Sequence, residues 1–298
     1  MFSLINKWLS FVRFSHTVFA LPFALAAMAV AARANRGWPG WRTLGLILAA
    51  MVCARTCAMA FNRIVDRRFD AVNPRTSGRH LPTGQISLAG AVTLLVVSAA
   101  GFVAASFFLN PICFYLSPIA LGVICFYSLT KRFTDYTHFF LGIALALAPV
   151  GAWLAVKGTN LSLLEIIQML TLAMAVIFWL VGFDIIYALQ DYEFDRKVGL
   201  HSLVVAWGPK NALTAAFLAH MFMCGFLAVF GLLCRFRIAY MIGWLIILAC
   251  LMLEHWIARR RSLQWINVAF FRLNAVVSAV FWIVTVTEVV FQGGFRVR

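Results

Sequence analysis

Acidic residues are scarce in this chain: ten Asp and Glu stand against 25 Lys and Arg in 298 residues, a formal charge of +15. Long polar stretches are scarcer still. Charged residues make up 12% of the chain and hydrophobic ones 63%, which excludes an ordinary soluble domain and leaves no room for a hydrophilic linker. The seven cysteines (Cys53, Cys57, Cys113, Cys125, Cys224, Cys234 and Cys250) are scattered and give neither a zinc pattern nor a disulfide framework.

What is present is a succession of apolar runs, each long enough to cross a hydrocarbon core of about 30 Å. They lie near 15–34, 41–62, 86–108, 111–129, 138–156, 163–187, 211–233, 238–257 and 268–291. The expectation is an all-α polytopic membrane protein, nine transmembrane helices in one bundle, with residues 1–298 forming a single domain. The first run is followed by Arg33-Ala34-Asn35-Arg36 and is itself long enough to span, so it reads as a helix rather than a cleaved leader. Asn110-Pro111 marks the break between the third and fourth spans.

Most of the Lys and Arg fall at the N-terminus and in the connections after spans two, four, six and eight. By the positive-inside rule those connections face the cytoplasm and the C-terminus lies outside, in an inner (plasma) membrane. The excess positive charge therefore sits at membrane edges, where it fixes topology and meets anionic lipid headgroups; nucleic acid is not an expected partner.

The few acids are concentrated. Asn62, Asp66 and Asp70 follow one another at steps of four at the end of the second span. Four residues turn a helix by about 400°, so the three side chains drift by only about 40° per step and share one face. A second set, Asp184, Asp191 and Asp195, ends the sixth span at steps of seven and four, and on a continuous helix it superimposes in the same way. Five of the ten acids lie on these two stripes, both expected at the cytoplasmic mouth.

Oxygen donors without His or Cys suit Mg²⁺, which takes few carboxylates and shares its other positions with water and substrate phosphate. A diphosphate between the stripes would complete that shell. Cations for it stand nearby: Arg63, Arg67, Arg68, Arg75 and Arg79, then Lys131 and Arg132, then Arg196 and Lys197. The competing reading is a cation-coupled transporter with an acidic vestibule. Against it, the acids lie at span ends with no matching set on the other side, and no internal repeat is evident.

Together these residues resemble the UbiA superfamily of intramembrane prenyltransferases, with its N-x-x-x-D-x-x-x-D and D-x-x-Y-x-x-x-D-x-x-x-D motifs. Asn62, Asp66 and Asp70 fill the first, and Asp184, Tyr187, Asp191 and Asp195 the second. The following segments Asn73-Pro74-Arg75-Thr76 and Arg79-His80-Leu81-Pro82-Thr83-Gly84 are similar to the loop of the aromatic-substrate branch. The resemblance implies transfer of a polyprenyl group from polyprenyl diphosphate to an aromatic carboxylic acid, with Asn62, Asp66, Asp70, Asp184, Asp191 and Asp195 around Mg²⁺ and the acids and Tyr187 at the reacting centre. Tyr127-Ser128-Leu129-Thr130-Lys131 resembles the family's Y-x-x-x-K element, which assigns Lys131 to phosphate and Tyr127 to the reacting end; Arg67, Arg75 and Lys197 join as substrate contacts.

Arg55 stands two turns before Asn62 on the same face, deeper in the apolar segment, where a charge requires a partner. The resemblance assigns it to the acceptor's carboxylate; pairing with a neighbouring motif Asp is the alternative. Two acceptors fit, 4-hydroxybenzoate of ubiquinone synthesis and a dihydroxynaphthoate of menaquinone synthesis. The runs at 14–22 and 199–202 are similar to a futalosine-type menaquinone subgroup.

Overall fold

A computed structural model describes residues 2–13, 17–260 and 263–291. Its elements are α1 (Phe2–Phe11), α2 (Thr17–Ala31), α3 (Trp41–Val72), α4 (Leu88–Leu109), α5 (Pro111–Thr130), α6 (Thr137–Lys157), α7 (Leu163–Ala188), α8 (Tyr192–Val198), α9 (Leu203–Leu233), α10 (Ile238–Arg260) and α11 (Leu263–Phe291). No strand occurs among the described residues. Eight helices there are long and apolar enough to cross a membrane, and α2 supplies a shorter apolar ninth over Phe19–Ala31. The beginning of the expected first span, with Phe14, Ser15 and His16, lies outside the described residues, as do Arg261, Arg296 and Arg298.

The chain folds back and forth between neighbours, so that α3, α4, α5, α6, α7 and α9 pack in succession while α10 and α11 close the bundle against α9 and α2. Helix α7 is its axis: 61% of its apolar window is buried, against 17% for α4, which faces outward. Small residues permit that packing, as is general where the surrounding solvent is itself apolar. A methyl group on Gly182 of α7 would fall 2.2 Å from the His220 ring of α9, and one on Gly142 of α6 would fall 3.0 Å from the Ile177 carbonyl. Polar side chains tie α7 to its partners at depth. Trp179 Nε1 donates to Asn274 Oδ1, Asn274 Nδ2 donates to Glu254 Oε1, and His220 bonds both the Trp179 carbonyl and His255.

Sequence punctuation explains several boundaries. Asn110 accepts from the Cys113 amide and donates to the Leu154 carbonyl, and Pro111 at the next position needs no donor, so α4 ends and α5 begins there as expected. Ser162 and Glu165 form a reciprocal cap on α7. Helix α9 starts at Leu203, well before the expected 211, because Gly208 at φ 76° and Pro209 bend it without ending it.

Two departures matter for the site. Helix α3 runs 32 residues to Val72, about 48 Å at 1.5 Å per residue, so its last turns extend beyond what a bilayer core requires. Helix α7 does not continue through Asp191: it stops at Ala188, a single tight turn spans Leu189–Asp191, and α8 sets off anew. The second acidic set is therefore bent, not a straight helical stripe.

Candidate functional site

The projecting end of α3, the bent end of α7 with α8, and the α5–α6 junction enclose one polar cavity of about 300 Å³. Asn62, Asp66, Asp70, Asp184, Tyr187, Asp191 and Asp195 all line it, with Arg55, Tyr127, Lys131 and Arg75. Both motifs thus meet, as do four of the basic and aromatic residues expected with them. Arg67 and Lys197 do not line it. Each is one or two residues from a motif Asp, a rotation of about 100° or 200° off the inward face. Lys197 is exposed.

Each carboxylate is held by a cation or a ring nitrogen. Arg75 grips Asp191 through two nitrogens, donates from its third to the Tyr187 hydroxyl at 3.0 Å, and lies over the Tyr187 ring. The bend in the second motif makes this possible, because it brings Asp191 across to the loop that follows α3. That loop is ordered by Asn73, which accepts from the Arg75 amide at 2.9 Å and donates to Asp191 at 3.3 Å.

Arg79 donates to Asp70 at 2.6 Å, with Arg63 4.0 Å from the other oxygen. Lys131 donates to Asp195 at 3.3 Å. Arg132 lies 3.5 Å from Asp66, to which Asn62 donates at 2.9 Å within the same helix face. Asp184 meets His138 Nδ1 at 2.7 Å. Burial alone would draw the Lys131 ammonium down, but Asp195, Asp184 and Asp191 outweigh it and hold its pKa above the ordinary lysine value.

Sequence reasoning named Arg63, Arg79 and Arg132 as nearby cations without choosing among them. It missed Asn73 and His138 as parts of the site. Asn73 was legible as the first residue of an Asn-Pro turn, whereas nothing in the order of residues announces that His138 of α6 will meet Asp184 of α7. His201 bonds Asp135 at 3.0 Å while its amide takes the Lys131 carbonyl, so it fastens the loop after α8 onto the α5–α6 turn.

A second cavity of about 270 Å³ opens among α2 to α6, lined by Ala, Leu, Ile and Phe side chains with few polar atoms. It shares Arg55, Tyr127, Leu141 and Leu145 with the polar one. Arg55 is the charge at that junction: its Nη2 reaches the Arg13 carbonyl at 3.4 Å and its buried Nε has no partner among the described residues. The alternative of a pairing between Arg55 and a motif Asp is not what the structure forms.

The donor set suits a hard cation. Every cavity-facing ligand candidate is an oxygen, and the acids stand on opposing walls with Lys and Arg between them. No three His, Cys, Asp or Glu of the described residues cluster tightly enough to hold a metal by protein groups alone. That pattern fits an ion whose shell is completed by phosphate oxygens and water.

Comparison with known proteins agrees. The profile of the UbiA prenyltransferase family matches residues 20–276. A 4-hydroxybenzoate octaprenyltransferase of Paraburkholderia phytofirmans is 27% identical over 94% of this chain and 96% of its own. One from Burkholderia ambifaria is 30% identical over 77% of each. Among solved structures, the apo form of a UbiA homolog from Aeropyrum pernix superposes with a TM-score of 0.82 at 29% identity, covering 92% of this chain and 98% of that one. A UbiA homolog from Archaeoglobus fulgidus bound to GPP and Mg²⁺ has the same fold, at a TM-score of 0.71 and 22% identity over 94% of this chain and 99% of that one. The transporter reading gives way, and the chain belongs to the UbiA prenyltransferase family as a membrane-embedded prenyltransferase.

Proposed function

We propose that this enzyme transfers a polyprenyl group from polyprenyl diphosphate to the ring of an aromatic carboxylic acid, 4-hydroxybenzoate, in quinone synthesis at the cytoplasmic face of the inner membrane. The observation that carries this reading is the pair of joined cavities, one built for an anion and its counter-charges and the other for a hydrocarbon tail. The relatives named as 4-hydroxybenzoate octaprenyltransferases support the acceptor, and the GPP and Mg²⁺ of the Archaeoglobus fulgidus protein support the donor and the ion.

Asn62, Asp66, Asp70, Asp184, Asp191 and Asp195 would hold Mg²⁺ together with the diphosphate. When bound, the ion would supply positive charge to the leaving group. Around it, Lys131, Arg75, Arg79 and Arg132 turn from carboxylate to phosphate oxygens and stabilise the charge that grows as the allylic C–O bond breaks and its electron pair leaves with the diphosphate. Tyr187 and Tyr127 offer ring faces to the allylic cation, and the apolar wall beyond them excludes water that would quench it. The acceptor's ring carbon forms the new C–C bond, and the proton it loses passes to the released diphosphate. Arg55, between the cavities and with a donor to spare, takes the acceptor's carboxylate.

Purified enzyme in detergent, supplied with Mg²⁺, a polyprenyl diphosphate and labelled acceptor, is expected to yield prenylated 4-hydroxybenzoate. A dihydroxynaphthoate offered in parallel decides the acceptor. Turnover of that compound alone moves the enzyme to menaquinone synthesis, and product from neither sinks the proposal.

A further inference from the structure

Four of the five motif carboxylates face a Lys or Arg: Asp66, Asp70, Asp191 and Asp195 each lie within 3.5 Å of one. Asp184 is the exception. Among the described residues its hydrogen-bond partner is His138 Nδ1, at 2.7 Å. His138 enters from α6 and is fully buried, whereas the Asp184 side chain keeps 20% of its surface open toward the cavity. The ring does not line that cavity. It stands behind the carboxylate, and its other nitrogen, Nε2, is buried without a partner.

That arrangement fixes the tautomer. A proton on Nδ1 donates to Asp184 Oδ2, while the opposite tautomer would set a lone pair against a carboxylate oxygen and leave a buried N–H at Nε2 with no acceptor.

We propose that His138 is a positioning residue for Asp184. Its Nδ1–H holds Oδ2 from behind and leaves the other oxygen presented to the Mg²⁺-diphosphate. The acid on α7 otherwise lacks a contact to fix its rotamer, whereas the other four are gripped by guanidinium or ammonium groups. Partners behind a ligand typically account for tenfold to hundredfold in affinity.

The inference rests on the diphosphate reading, and its test separates the two. Wild type and variants, purified full length, are titrated by calorimetry with geranyl S-thiolodiphosphate, an unreactive donor analogue, at fixed Mg²⁺. Failure of the wild type to bind overturns the diphosphate reading itself. With binding in hand, His138→Leu is expected to bind the analogue tenfold to hundredfold more weakly. His138→Asn, whose amide nitrogen is as many bonds from Cβ as Nδ1, and His138→Gln, which reaches it by folding back, are expected within about threefold of wild type. Asp184→Ala should lose at least as much as the leucine variant, and adding His138→Leu to it should cost nothing more, since His138 acts through Asp184.

Wild-type affinity in His138→Leu, additive losses in the double variant, or amide variants as weak as the leucine one would each overturn the proposal. Should leucine not fold, phenylalanine fills the ring's space without a donor and is read in the same way. Misfolding of both donorless variants would make His138 a residue of the fold and overturn the proposal too.

Discussion

At the scale of single residues the site is a set of charges that neutralise one another. Asp191 is the most heavily committed, taking two nitrogens of Arg75 and one of Asn73. Asp191→Asn keeps the shape and removes the charge, so turnover should fall on the order of a hundredfold or more, and the thermal midpoint should drop as well because Arg75 loses its counter-charge. Near-normal turnover at saturating Mg²⁺ would remove Asp191 from the mechanism.

Arg55 and Lys131 should fail differently. Arg55→Ala is expected to raise the acceptor's KM by about tenfold to a hundredfold, the equivalent of roughly 1.5–3 kcal/mol for a charge-assisted bond, with a smaller effect on the donor's. Lys131→Ala is expected to act on the donor's KM or on kcat, because phosphate charge grows as the bond breaks. An Arg55→Ala enzyme with an unaltered acceptor KM would make Arg55 a phosphate or structural residue.

Asn62, Asp66 and Asp70 were legible in the sequence because steps of four keep side chains on one face of the α3 helix that carries them, whereas the second set was legible as a motif and not as the straight stripe its spacing implied. The partners of those acids were legible only as a crowd of cations. Which arginine meets which aspartate depends on a bend in the second motif that brings Asp191 to the α3 loop, and Ala188-Leu189-Gln190 contains neither Gly nor Pro to announce it.

At the scale of elements, long helices were read to within a few residues where Pro, Asn or Ser marks an end, as at α5 and α7. Short α1 and α8 escaped notice, since ten and seven residues carry no spanning signal. Helix α1 is docked by local contacts: Phe11 packs against His80 edge to face, and Ser10 bonds His80 Nε2 at 3.0 Å. Burial, with Arg63 and Lys7 adding repulsion, lowers the His80 pKa. A depressed histidine contributes stability that is present above its unfolded pKa of about 6.5 and lost as pH falls through the folded value. Helix α1 should therefore loosen in acid. Amide protection factors along residues 6–11, referred to intrinsic exchange at each pH, should fall below about pH 6, and His80→Gln should flatten that dependence; acid-induced loosening of the same size in the glutamine variant would assign it to another group.

The central helix offers a sharper test. Gly182→Ala drives a methyl group into the fully buried His220 ring, 2.2 Å from its Cδ2, and so displaces the bonds to the Trp179 carbonyl and to His255. The cost expected for such overpacking is about 1–3 kcal/mol or more, seen as a lowered thermal midpoint. Gly45→Ala, with nothing within 4 Å of the added carbon, serves as the matched control. Equal midpoints for the two variants would mean that α7 and α9 do not pack as closely as described.

At the scale of the whole molecule, fold and chemistry share one geometric requirement: every charged connection of the site must lie at the same end of the bundle. The structure meets it without reference to a membrane, since Arg75 in the α3–α4 loop grips Asp191 after α7, and the Lys131 carbonyl after α5 takes the His201 amide after α8. Gly158 closes the opposite end of α6. The distribution of Lys and Arg leads us to expect the end that carries the site at the cytoplasm. The corresponding experiment starts from a variant with the seven native cysteines removed and places single cysteines at Ser77, Gly199 or Gly158. An impermeant thiol reagent should reach Gly158 in intact cells, and should reach Ser77 and Gly199 only after the membrane is opened. Labelling of Ser77 and Gly199 on different sides would contradict the bundle itself. Labelling of both from outside would leave the bundle intact and invert it in the membrane, which would place the aromatic acid's entrance on the wrong side for a cytosolic supply.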